Sequence, residues 1–295
     1  MWRRLLRPSA TPLVGAAAAW WGQRSSFAQE EASQAPLAGR TALITGSTSG
    51  IGLSIAEALA EAGCDVVLNG FGDPAQIREL QSSLSSRFGV KVVYIGADLT
   101  QPTEVRSMVA EAGEKLGAID VLVNNAGVQH VSPLVSFPEE KWDQVIAVNL
   151  TSAFHTSKAC LPSMTERGYG RIVNIASAHG KVASSNKAAY CAAKHGVVGL
   201  TKVTALETAG TGVTCNAVCP GWVLTPLVQK QIEARAAVSG RTIEAETRAL
   251  VSEKHPSGQA VEPRHLAQFV VFLCSPAAEQ ITGAELSVDG GWTAQ

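Results

Sequence analysis

Thr41-Ala42-Leu43-Ile44-Thr45-Gly46-Ser47-Thr48-Ser49-Gly50-Ile51-Gly52 is the stretch that decides the fold. A short apolar, β-forming run, Thr41–Thr45, leads into a turn with three glycines. A helical pattern then runs from Ile51 to Ala62 and stops at Gly63, a C′ glycine. The glycine spacing is Gly-x-x-x-Gly-x-Gly. Glycines at a strand-to-helix junction let the backbone turn tightly and approach a pyrophosphate, whose charge is received by the helix N-terminus. Alone, such a turn also reads as a structural corner. The rest of the chain has to choose.

Working outward, β-rich runs recur at Val66–Asn69, Val92–Ile95, Val121–Asn124, Arg171–Ile175, Val213–Val218 and Glu285–Val288. Between them lie helical patterns at Gln76–Phe88, Glu104–Leu116, Lys141–Arg167, Ala188–Thr208 and Pro263–Leu273. Strands alternating with helices predict an α/β fold: a Rossmann-like, doubly wound parallel sheet of about seven strands, flanked by helices. The segment from Gly221 to about Gly258 is helical but breaks the rhythm. Its place after a late strand, over the carboxyl ends of the sheet, suits a substrate lid of about residues 221–258.

The catalytic domain is read as residues 37–295, and the first 36 residues as a separate targeting segment. Arg3, Arg4, Arg7 and Arg24 precede the first acid, Glu30, among Ala, Ser, Leu and Trp. This Arg-rich, acid-free composition is that of a mitochondrial transit peptide and predicts a matrix location. A secretory signal with Leu13–Trp21 as its apolar core, or an uncleaved tail in a cytoplasmic protein, are the competing readings. The net charge of -1 argues against a dedicated nucleic-acid binder. No apolar run reaches the ~18 residues that span a bilayer. Cys64, Cys160, Cys191, Cys215, Cys219 and Cys274 are scattered without disulfide or zinc spacing and read as reduced, buried thiols. Nothing groups His130 and His195 as metal ligands, so no metal is expected.

Three further features fall at predicted strand ends, where ligands bind in such sheets. Asp98-Leu99 follows the third strand and could contact an adenine. Asn124-Asn125-Ala126-Gly127 follows the fourth and offers amides beside a ribose or nicotinamide. Pro220-Gly221 follows the sixth. Tyr190 and Lys194 then lie one helical turn apart, on one face. A cation about 4 Å from the phenol, at an effective dielectric of ~20, favours the phenolate by roughly 4 kcal/mol. That is about three pKa units, enough to make a tyrosine a neutral-pH acid/base. The tetrapeptide alone is equally an ordinary helix face.

In order and spacing, Thr45-Gly46-x-x-x-Gly50-Ile51-Gly52, Asn124-Asn125-Ala126-Gly127, Asn149, Ser177 and Tyr190-x-x-x-Lys194 resemble the short-chain dehydrogenase/reductase family. The resemblance covers about residues 37–295. It implies a nicotinamide cofactor and a catalytic tetrad of Asn149, Ser177, Tyr190 and Lys194. Tyr190 would move the alcohol proton, Lys194 lower its pKa and hold the ribose, and Ser177 stabilise the substrate oxygen. Asn149 would hold a proton-relay water, a helix kink or cap being its plainer role. The cofactor set it implies is Thr45, Gly46, Ser49, Gly50, Ile51, Gly52, Phe71, Asp98, Leu99, Asn125, Ala126, Gly127, Tyr190, Lys194, Pro220, Gly221 and Val223. NAD is expected. The usual acid position after the second strand holds Asn69, with Asp73 too far along the loop. Between Arg40 and Arg78, however, there is no cation to meet a 2′-phosphate.

The resemblance also implies that Gln129, His179, Lys187 and Gln231, with Trp222 and Trp292, surround the tetrad, offering one cation and several donors in a small space walled by indoles. That suits a small carboxylate, although Lys187 alone reads equally as a surface lysine. Val67-Leu68-Asn69-Gly70-Phe71-Gly72-Asp73, Cys219-Pro220-Gly221-Trp222-Val223 and Val288-Asp289-Gly290-Gly291-Trp292 resemble the branch containing the bacterial D-3-hydroxybutyrate dehydrogenases. That branch implies an NAD-linked homotetramer acting on a 3-hydroxy acid and its 3-keto acid, with those four polar residues on the carboxylate. Leu224, where Arg is common, and the N-terminal extension depart from it. The rivals are an NADPH-dependent 3-oxoacyl thioester reductase and a non-catalytic scaffold or RNA-processing subunit.

Overall fold

The protein is described here by a computed structural model covering residues 35–294. Residues 1–34, and with them the targeting reading, lie outside the described residues. Seven strands, β1 (Thr41–Ile44), β2 (Asp65–Leu68), β3 (Val92–Tyr94), β4 (Val121–Asn124), β5 (Gly170–Ile175), β6 (Val213–Pro220) and β7 (Glu285–Val288), form one sheet. Their order is β3-β2-β1-β4-β5-β6-β7 and every pairing is parallel. β1, β4, β5 and β6 are buried throughout, which is why they read as unbroken apolar-rich runs instead of alternating ones.

Alternate residues still serve opposite faces. Ala42 and Ile44 pack with α1 (Gly50–Glu61) and α9 (Pro263–Cys274) through Ile55, Leu59, Leu266 and Val270. Leu43 and Leu122 face the other way. They meet Val105 and Met108 of α3 (Pro102–Leu116), and Cys160 and Met164 of α5 (Ser152–Glu166). Both sides are thus sealed, and the sheet is open only at its strand ends. The order reverses between β1 and β4, so a crevice opens at their carboxyl ends.

The helices α2 (Pro74–Phe88), α3, α7 (Pro226–Ser239) and α9 each begin on a proline. Proline at the first helical position loses nothing, because that N–H has no intrahelical partner. The two earlier starts expected at Gln76 and Glu104 are each two residues late for this reason. The larger correction concerns Lys141–Arg167, expected as one helix. The chain instead forms α4 (Glu139–Ile146), a π-helical turn at Ala147–Thr151 and then α5. The segment expected as a lid contains two helices, α7 and α8 (Ile243–Ser252). Arg235 on α7 ties them by pairing with Glu246 and Glu253. The remaining helix, α6 (Ala188–Glu207), carries Tyr190 and Lys194.

All six cysteines are buried and unpaired, and burial pushes Cys64, Cys160 and Cys215 up to about 12. These three are therefore inert thiols of the core.

Candidate active site

A cleft of about 650 Å³ follows the crevice from Phe71 and Asp98 to Tyr190, Trp222 and Trp292. The glycine-rich turn forms its floor. Gly46 has φ +64°, and a Cβ there would lie 2.9 Å from the Ala126 Cα. At Gly52 a Cβ would lie 2.3 Å from the Gly46 carbonyl oxygen. The turn is therefore folded against the β4 loop as closely as backbone permits. Asn125 fastens it by donating from its side-chain amide to the Thr45 and Gly46 carbonyls (2.9 and 3.0 Å). Thr45 Oγ1 accepts from the Asn125 and Ala126 N–H groups (3.0 and 3.1 Å). Thr45 and Gly52 thus shape the floor from behind, whereas Gly46, Ser49, Gly50 and Ile51 line it.

At the far end Phe71, Asp98 and Leu99 line the cleft, joined by Thr48, Gly70, Ala97 and Thr100. Asn69, noted in the sequence only as occupying the acid position, is 1% exposed and bound on all sides. Its side-chain amide donates to the Ile95 carbonyl (3.1 Å) and its Oδ1 accepts from the Gly46 N–H (3.4 Å). Asp73 caps α2, accepting from the Ala75 and Gln76 N–H groups (2.9 and 3.1 Å). Asn69 carries no carboxylate, and Asp73, which does, is not on the cleft wall. The cations on the cleft wall are Lys187 and Lys194, both at the opposite end. Gly127, Pro220, Gly221 and Val223 line the middle. A glycine floor against a helix N-terminus and a long cleft between polar ends fit an extended dinucleotide.

The catalytic end gathers three of the tetrad on the wall: Ser177, Tyr190 and Lys194. Ser177 ends the loop after β5, and its Oγ accepts from the His179 N–H (3.1 Å). Lys194, 4% exposed, donates from Nζ to the Ile175 carbonyl (2.7 Å) and stands 5.6 Å from the Tyr190 ring centroid. The expected depression of the phenol's pKa is not the net effect in this geometry. Burial pushes the Tyr190 phenol up from its ordinary value, partly opposed by hydrogen bonding with Ser177. Burial also brings Lys194 down to about 8. Desolvation is the larger effect because both groups are buried and the ammonium is turned onto the Ile175 carbonyl.

Asn149 lies behind the wall, in the π-helical turn. Its Oδ1 accepts from the Val128 N–H (2.8 Å) and its Nδ2 donates to the Val128 carbonyl (2.9 Å). It therefore clamps the loop after β4, a role nearer to the plainer reading than to direct contact. Removing it by Asn149→Ala leaves both Val128 groups without that partner. The expected loss is about 2–4 kcal/mol of stability, read by urea denaturation, and an unchanged midpoint would contradict the clamp.

Beyond the tyrosine, Trp222 and Trp292 stack with centroids 6.1 Å apart and planes at 22°. His179 stands edge-on to Tyr190 (5.9 Å) and to Trp292 (5.0 Å), and its Nε2 bonds Ser184 Oγ (2.9 Å). Burial, then the nearby Lys187 charge, brings this imidazole down to about 3, so it is neutral at ordinary pH. Lys187 Nζ lies 4.9 Å from the Trp222 ring centroid; burial lowers its pKa, with Lys254 adding to that. Among the described residues Lys187 has no carboxylate partner. Gln129 Nε2 and Trp222 Nε1 are buried donors with no acceptor. Gln231, half-buried on α7, is not brought to the cleft wall; Val228, one turn earlier, is. The sequence reading also missed Gln144 and Val148, which line this end. Gln144 sits just before the break in the expected helix and Val148 within it, and no local pattern announces that break.

The fold and this constellation define a nicotinamide-dependent oxidoreductase of the Rossmann type. A family model described as enoyl-(acyl carrier protein) reductase matches residues 46–293, and the chain belongs to the short-chain dehydrogenase/reductase family. It is 56% identical over 259 residues to a D-beta-hydroxybutyrate dehydrogenase of Cupriavidus necator, covering 88% of this chain and 100% of that one. A protein of the same name from Rhizobium meliloti is 50% identical over 256 residues, covering 87% and 99%. Among solved structures, an actinorhodin polyketide ketoreductase with NADPH matches at TM-score 0.81 and 39% identity, over 87% of this chain and 98% of that one.

Proposed function

We propose that the protein interconverts (R)-3-hydroxybutyrate and acetoacetate with NAD. The observation that carries this reading is the set of unsatisfied donors beside the tyrosine: Gln129 Nε2, Trp222 Nε1 and the unpaired Lys187 ammonium. Buried donors without acceptors are costly, and one small carboxylate would satisfy them together. The two bacterial dehydrogenases named above support the same substrate class. The absence of a cation among the described residues lining the Phe71–Asp98 end supports NAD over NADP.

The mechanism follows from where the groups stand. The nicotinamide, when bound, supplies the hydride acceptor or donor. Lys187, Gln129 and Trp222 fix the carboxylate and so leave the 3-oxygen facing Tyr190 and Ser177. Ser177 Oγ donates to that oxygen, stabilising charge as it develops. Tyr190 Oη takes the hydroxyl proton during oxidation and returns it during reduction. Lys194 supplies the positive charge beside the phenol and a donor toward the ribose. The neutral His179 presents a packing edge and a hydrogen bond without adding a charge.

A homotetramer is part of the same proposal. Phe154, Val203 and Leu206 are exposed on α5 and α6, and a groove of about 760 Å³ runs between these helices past Leu161 and Leu200. An apolar face of that kind suits another copy of the chain. For residues 1–36 the proposal is mitochondrial import, supported by their arginine-rich, acid-poor composition.

The test is an initial-rate assay of both 3-hydroxybutyrate enantiomers with NAD, with NADP and a 3-oxoacyl thioester as comparison arms. Turnover of the (R)-acid with NAD, at least about tenfold more efficient than with NADP, is expected. Faster NADPH-linked reduction of the thioester would instead establish the rival reading.

A further inference from the structure

We propose that His255 is a positioning residue for the indole wall of the acid pocket and acts through Trp222. The proposal rests on the reading that this end of the cleft receives a small carboxylate.

His255 lies just after α8, 1% exposed, where the end of the lid meets the loop after β6 and the turn after β7. Its Nε2 accepts from the Trp222 backbone N–H at 2.7 Å. An N–H donor can meet only a lone pair, so the ring proton sits on Nδ1, which donates to the Gln259 carbonyl at 2.7 Å. The two bonds fix the tautomer and the ring plane. Space is cut for the imidazole on two sides. A Cβ at Gly221 would lie 2.2 Å from Nε2, and one at Gly290 would lie 2.9 Å from Nδ1. The ring centroid is 6.1 Å from that of Trp292.

His255 is not on the cleft wall, so any influence on a ligand must pass through what it holds. It holds Trp222, whose carbonyl accepts from Val261 (2.8 Å), whose ring lies under Lys187, and whose indole N–H is one of the unsatisfied donors. A backbone anchor on Trp222 sets the height of its indole against Trp292 and the direction of that N–H.

Two substitutions separate the two bonds. His255→Gln can place an amide oxygen where Nε2 stands and keep the acceptor for Trp222. His255→Asn can keep a donor toward Gln259 but leaves the Trp222 N–H without an acceptor. For Asn the expected result is a KM for the 3-hydroxy acid raised about tenfold, with kcat and the NAD dissociation constant within about twofold. For Gln, KM stays near that of the native protein. The far-ultraviolet exciton couplet of the stacked indoles, defined by its loss in Trp222→Phe, should be lost in Asn and kept in Gln. That readout needs no substrate, so it decides the role of His255 even if the native protein does not turn over 3-hydroxybutyrate. Retention of KM and couplet in Asn would overturn the proposal. So would an equal loss in both variants together with their melting temperature, which would make His255 a purely structural residue.

Discussion

Tyr190→Phe is expected to lower kcat by about 10²–10⁴-fold while leaving the NAD dissociation constant within about twofold. The phenol lies on the wall within reach of Ser177, where the proposed mechanism has it exchange a proton with the substrate oxygen. Phenylalanine keeps the ring that packs against Val145, Ala189 and Ala193, so the fold is retained and only the proton transfer is lost. The upward push of burial on the phenol gives the reaction a pH signature. Oxidation needs the phenolate, the form scarce at neutral pH, so its rate should climb as pH rises into the alkaline range. Reduction needs the protonated phenol and should fall over the same range. Initial rates in both directions across pH check this, and activity within tenfold of native in Tyr190→Phe would remove Tyr190 from the chemistry.

The second large effect is expected at Lys187. Removing one partner of a largely desolvated charge pair costs about 2–5 kcal/mol, so Lys187→Ala should lower kcat/KM for the hydroxy acid roughly thirtyfold or more. Lys187 occupies the N-cap of α6 but makes no side-chain cap bond, so its truncation removes no capping hydrogen bond and the melting temperature should hardly move. The loss should appear mainly in KM, since the carboxylate is held equally before and during proton transfer. Unchanged kinetics would return Lys187 to the surface-lysine reading.

Both predictions rest on residues that were legible in the sequence. The sheet was readable because its inner strands are buried on both faces and so are written as short runs rich in apolar and β-branched residues. The dinucleotide end was readable because close backbone approach demands glycine at Gly46 and Gly52. Tyr190 and Lys194 were readable because helical spacing is a local property, whereas Ser177, in the loop after β5, was found through the family resemblance. What escaped was non-local. The π-helical turn at Asn149 depends on a bond pair to Val128, 21 residues away. The burial of Asn69 depends on Gly46 and Ile95 from neighbouring strands. The phenol's net shift is a contest between desolvation and charge that spacing alone cannot decide. Gln231 was assigned to the carboxylate by resemblance, and its helix instead presents Val228 to the cleft. His255, buried between three segments distant in the chain, carries no motif at all.

In the proposed function this cleft is built around a small acid, its carboxylate held by Lys187, Gln129 and Trp222 while Tyr190 exchanges the proton. The most direct measurement compares NAD-linked kcat/KM for (R)-3-hydroxybutyrate with that for its methyl ester, which keeps the alcohol and loses the charge. The account predicts efficient oxidation of the acid and a loss of roughly thirtyfold or more for the ester. Equal efficiency on the two, or none on the acid, would contradict it.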